Sequence, residues 1–107
     1  MSILIQEATL GGQPLEPGDF VLTYTQDELL AGIGIVPDGF PDVPMGMVAW
    51  GAEPDLDNGF QHWEEIDFRF WIARLNREVN AEVEVINGVD PVFVENGFIV
   101  VRLRAVQ

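Results

Sequence analysis

The 107-residue chain has 18 acidic and five basic residues and a formal net charge of −13. Its field repels phosphate backbones and anionic lipid surfaces, which excludes nucleic acid and membranes as partners. Cysteine is absent, which removes disulfides, thiolate metal sites and cysteine nucleophiles, and an apolar fraction of 48% marks one packed domain, not a disordered chain.

The opening run Met1–Glu7 has no basic segment and a short apolar stretch, unlike a signal peptide, and no stretch approaches the length of a membrane span. The chain is expected to be either a small protein in its own right or a domain of something larger. Ile3–Leu10 predicts a first strand, closed by turns at Gly11-Gly12-Gln13-Pro14 and Glu16-Pro17-Gly18-Asp19. Phe20–Thr25 and Leu30–Val36 predict the second and third. Three prolines and a glycine between Pro37 and Pro44 forbid a ladder there. Met45–Trp50 predicts a fourth strand, and a long acidic loop follows to about Glu64.

The strongest pattern is Glu65–Leu75. Ile66, Phe68, Phe70 and Ile72 fall on one face, and Asp67, Arg69, Trp71 and Ala73 on the other. A helical turn is expected near Arg74–Glu78. Glu82–Ile86, Val92–Val94 and Phe98–Ala105 complete the strands, with turns at Asn87-Gly88 and Asn96-Gly97. In the last strand Ile99, Val101 and Leu103 face in, and Val100, Arg102 and Arg104 face out. Seven or eight short strands with frequent turns predict an all-β fold, an antiparallel β-sandwich of Ig-like or jelly-roll-like type, with a small closed barrel as the alternative.

Catalytic chemistry is poorly supplied. Ser2 is the only serine and His62 the only histidine, so a nucleophile with its base is not available, and a domain this small rarely encloses a carboxylate pair in a deep cleft. The expectation is a non-enzymatic protein with no obligatory cofactor. Glu53, Asp55, Asp57 and Asn58 bring hard oxygen ligands into one loop, the type that Ca²⁺ prefers. An Asx turn with Gly59 at positive φ is the simpler account of the same residues. His62 is expected to be a partly buried, hydrogen-bonded residue at a loop–strand junction.

Surface recognition is better supplied. Trp50, Phe60, Trp63 and Trp71 bracket one stretch, and aromatics near a sheet surface stack on sugar rings or anchor protein interfaces. Trp71 stands out, because it lies opposite Phe68 and Phe70 and beside Asp67 and Arg69. Charge is also divided: 13 acids fall in residues 1–68, and every basic residue is an arginine at or after position 69. Arg69, Arg102 and Arg104 face outward and either pair with Asp67, Glu82 and Glu84 across strands or form a basic stripe.

The order Gly18-Asp19-Phe20-Val21-Leu22, Gly32-Ile33-Gly34, Val48-Ala49-Trp50-Gly51, Asn58-Gly59-Phe60, Glu65-Ile66 and Phe68-Arg69-Phe70-Trp71 resembles the accessory β-sandwich domain of large bacterial surface and secreted proteins. The resemblance spans about residues 15–75 and implies a non-catalytic adhesive or spacer module. Ala52-Glu53 and Trp63-Glu64-Glu65 depart from its acidic-pair and Gly-Glu positions. The functional expectation is an interaction module, a subunit that decorates or cements a larger assembly such as a virion surface or appendage through a protein partner or self-assembly. The alternative is an extracellular carbohydrate-binding domain, Ca²⁺-assisted, with a groove lined by two or more of Trp50, Trp63 and Trp71.

Overall fold

The computed structural model describes residues 1–88 and 90–106. Its strands are β1 (Ser2–Leu10), β2 (Gln13–Pro14), β3 (Phe20–Tyr24), β4 (Leu30–Ile35), β5 (Met45–Val48), β6 (Asp67–Ile72), β7 (Arg77–Asn80), β8 (Glu82–Val85) and β9 (Phe98–Ala105). They form two sheets, one in the order β2-β1-β9-β8 with β5 also paired to β1, the other in the order β4-β3-β6-β7. This is the all-β sandwich that the spacing of strands and turns predicts. No helix among the described residues is long and apolar enough to cross a membrane.

Alternation sets which side chains meet between the sheets. Phe68, Phe70 and Ile72 of β6 are buried, as are Ile99, Val101, Leu103 and Ala105 of β9. In β1 a bulge between Ile5 and Glu7 adds one residue to the period. Ile3 and Ile5 before it, and Ala8 and Leu10 after it, therefore all point into the core. Phe60 and Phe93 stack at 5.4 Å and fill the end of the sandwich beneath the long loop.

Four elements differ from the sequence expectation. β1 and β9 pair in parallel, so the sandwich is not wholly antiparallel. The turn expected at Arg74–Glu78 is a 3₁₀ turn at Ala73–Leu75, ended by Asn76 in the left-handed region, after which Arg77–Asn80 runs as an edge strand. Gln13-Pro14, in the expected turn, makes a two-residue strand on β1. Val92–Val94 makes a single bridge, Glu65 to Val92, in place of a strand.

The two sheets meet at both corners. β7 and β8 are separated only by Ala81, whose N–H bonds the Phe68 carbonyl while the chain crosses from one sheet to the other. At the opposite corner the end of β5 meets β4 through a Gly32–Ala49 bridge, and the Trp50 N–H bonds the Ala31 carbonyl. The contact is close because β4 presents glycine inward. A Cβ at Gly32 would stand 2.1 Å from the Thr23 hydroxyl oxygen, and one at Gly34 would stand 2.9 Å from the Met45 terminal carbon.

Asp19 fixes a third junction. The residue is 8% exposed, and its carboxylate accepts hydrogen bonds from the Glu16 N–H at 2.9 Å and the Ala73 N–H at 2.9 Å. One side chain thereby ties the turn before β3 to the end of β6.

Gly32→Ala is expected to cost about 3 kcal/mol, the upper end of overpacking penalties, because backbone at Val48 and Ala49 crowds the same point. Gly46→Ala, with nothing within 4 Å of its Cβ, is expected to stay near wild type, and urea unfolding of the pair checks both. Thr23 is fully buried and its hydroxyl has no hydrogen-bond partner among the described residues. Thr23→Val is expected to raise stability by about 1 kcal/mol by removing that unmet group, read from the urea midpoint.

Candidate functional site: an apolar sheet face with an acidic rim

Residues of β4 that point away from the core are isoleucines. Ile33 and Ile35 are 48% and 67% exposed, an inversion of the usual apolar-in, polar-out order of a solvated antiparallel strand. Register extends the apolar surface across the sheet. Ile35 lies opposite Phe20, Phe20 opposite Trp71, and Trp71 opposite Glu78; in the next row Ile33 faces Leu22, which faces Arg69. A shallow groove of about 330 Å³ runs between Phe20, Tyr24, Ile33 and Trp71, with Glu78 at its rim.

One end of this face is a charged cluster built on Arg69. Its guanidinium lies 4.0 Å from the centroid of the Tyr24 ring, the distance of a cation–π contact. Its Nη2 donates to Asp67 at 2.7 Å and to Glu28 at 2.5 Å, and its Nη1 is 3.9 Å from Glu78. Burial disfavours the cation, but its hydrogen bonds to Glu28 and Asp67 outweigh it and hold Arg69 above its usual range. One guanidinium against three carboxylates leaves this end with a formal charge of −2. The Tyr24 hydroxyl donates to Glu78 at 2.5 Å, and that hydrogen bond, with burial, raises the phenol above its ordinary value.

Trp71 and Arg69 therefore share one site, as their common face in the sequence suggests. The other expected site residues do not join them. Arg102 and Arg104 lie on the outer face of the opposite sheet, paired in register with Glu84 and Glu82 across β8 and with Glu7 and Thr9 across β1. Arg102 stands 3.8 Å from Glu84, so the arginines fall into local acid-flanked positions and no common basic stripe forms. Phe60 is 1% exposed and belongs to the core, which corrects its place among the surface aromatics.

Trp50 and Trp63 are exposed; Trp50 stands beside the edge of β4, where its N–H bonds the Ala31 carbonyl. Trp63 is 66% exposed at φ 69°, packs edge-on against His62 at 4.6 Å, and lines a separate depression with Met1, Val92 and Phe98. Trp50 lines neither depression. Trp63 and Trp71 line different depressions. His62 is exposed and not partly buried, because the loop carries it outward beside Trp63.

In the acidic loop the Asn58 Oδ1 accepts from the Glu53 N–H at 2.8 Å, an Asx-type closure. Positive φ falls on Asp55, at 61°, and not on Gly59. Gly59 is required for a different reason: a Cβ there would stand 2.6 Å from the Gly51 carbonyl carbon. Glu53, Asp55 and Asp57 do not converge, and among the described residues no three His, Cys, Asp or Glu side chains are grouped to hold a metal.

Ile33, Ile35, Phe20 and Tyr24 were not singled out by the sequence pattern as site residues. The available signal was Gly32-Ile33-Gly34-Ile35, where two glycines on one face leave the isoleucines on the other. Comparison with protein-family models, with curated proteins and with solved structures gives no match.

Tyr24 is the only tyrosine, so its ionisation is read directly from ultraviolet absorbance. Its midpoint is expected above 10, and Glu78→Gln is expected to bring it back toward 10 by removing the carboxylate acceptor. The sign follows from a folded value raised above the unfolded one. The Tyr24–Glu78 bond contributes its full stability below about pH 10 and loses it as pH rises through the folded midpoint.

Proposed function

We propose that this protein is a non-catalytic interaction module, a small subunit that decorates or cements a larger protein assembly such as a virion surface or appendage. The observation that carries the reading is the apolar patch on the outer face of β4, β3 and β6. Ile33 and Ile35 stand in solvent beside half-buried Phe20 and Trp71, at positions where folding gains little from them. A rigid sheet supplies aromatic and aliphatic anchors at fixed spacing, the composition of a protein-binding hot spot. The resemblance of residues 15–75 to accessory β-sandwich domains supports the same non-catalytic role.

This role separates the face from the fold. The double variant Ile33→Thr, Ile35→Thr keeps β-branched residues on the strand and is expected to change folding stability by less than about 0.5 kcal/mol, as exposed substitutions do. Loss of several kcal/mol in urea unfolding would make the isoleucines structural and remove the basis of the proposal. Glycan arrays are expected to stay blank with and without Ca²⁺. Glycan binding that Trp71→Ala abolishes, with folding intact, would transfer the role to carbohydrate recognition.

A further inference from the structure

The apolar face is bordered by acid on the side where Arg69 sits, and this constrains what can cover it. Resting on the interaction role above, we propose that the occupant is a different, cationic protein segment, with apolar residues for the groove and lysine or arginine beside them for Glu78, Asp67 and Glu28. A second copy of this chain is the wrong partner. The face offers its own kind only an apolar strip with carboxylates along one side, and its one guanidinium is already shared among three acids. Two chains of −13 would have to approach across that rim, and the chain has no lysine to relieve it.

Geometry places the complementary charges. Glu78 stands directly across the strands from Trp71, at the groove's edge, and Asp67 lies opposite Tyr24 at its end. Glu28 has a side chain 68% exposed, so much of its carboxylate remains open to an incoming cation while one oxygen holds Arg69. An extended segment alternating apolar and basic residues would set its apolar side chains over Phe20, Ile33 and Trp71 and its cations toward these three acids. Charge at the edge would then choose the partner and its orientation, and the apolar centre would hold it.

The test uses a short synthetic peptide of alternating leucine and lysine, a leucine–glutamate peptide and a serine–lysine peptide, with binding followed by backbone amide NMR and titration calorimetry. The leucine–lysine peptide is expected to shift amides of Phe20–Tyr24, Ile33–Ile35 and Trp71, and to bind more weakly as salt is added. The double variant Ile33→Thr, Ile35→Thr should weaken it about tenfold or more, and Glu28→Gln with Glu78→Gln about threefold or more. The leucine–glutamate peptide should not bind, and the serine–lysine peptide should show no preference for this face.

Equal binding of the leucine–glutamate and leucine–lysine peptides at this face would overturn the cationic partner and leave the docking face standing. Mapping of the leucine–lysine peptide to another surface, unaffected by the isoleucine changes, would overturn both. Sedimentation of the intact protein should show a monomer at physiological salt. A dimer lost in Ile35→Asp would mean that a second copy is the occupant and would sink the proposal.

Discussion

The close approach of β4 to the end of β5 is the constraint on which the rest of the molecule depends. Two sheets can share an edge only where backbone comes within van der Waals reach of backbone, and glycine at 32 and 34 is what leaves room. The consequence reaches the outer surface. A strand whose inner positions are glycine contributes little apolar area to the core, so its larger residues stand outside. Ile33 and Ile35 thus follow from the same four residues that close the corner, which makes the structural joint and the proposed docking face two sides of one strand.

The acidic rim has a similar economy. Arg69 contacts Tyr24, Glu28, Asp67 and Glu78 on this face. Its cation–π contact holds the tyrosine ring at the end of the groove, and its hydrogen bonds orient the carboxylates that edge it. A guanidinium suits this place because its planar fork can serve several oxygens while its face lies on an aromatic ring. The remaining charge of the molecule acts at longer range, accelerating encounter with a cationic surface and opposing encounter with an anionic one.

Strand existence was legible in the sequence wherever the period of two was long and clean. β6 alternates without error, and its inward Phe68, Phe70 and Ile72 are where the pattern puts them. β7 was not legible, since Arg77-Glu78-Val79-Asn80 has one apolar residue and lies at an edge, where burial writes little into the sequence. The parallel register of β1 with β9 could not be read either, because strand partners far apart in the chain leave no local signature. Within the site, Trp71 and Arg69 were visible because they stand opposite a bulky apolar face. Ile33 and Ile35 were not, because an alternation of glycine and isoleucine says which residues share a side and is silent on which side is wet. Phe60 misled for the complementary reason. It lies in a loop rich in acids, yet that loop folds back so that Phe60 stacks on Phe93.

Pairing of β1 with β9 also shapes how the protein comes to exist. Ser2 and Phe98 are neighbours in the sheet and 96 positions apart in the chain. On a ribosome β1 is made on the order of ten seconds before its parallel partner. Until then one edge of the first strand has no native neighbour, and its apolar side, Ile3, Ile5, Ala8 and Leu10, has only part of its core. The other sheet spans shorter separations, its widest pair being Phe20 and Trp71, 51 positions apart. Topology of this kind, with its longest-range pairing inside the sheet behind the proposed docking face, predicts slow folding for a chain of this size.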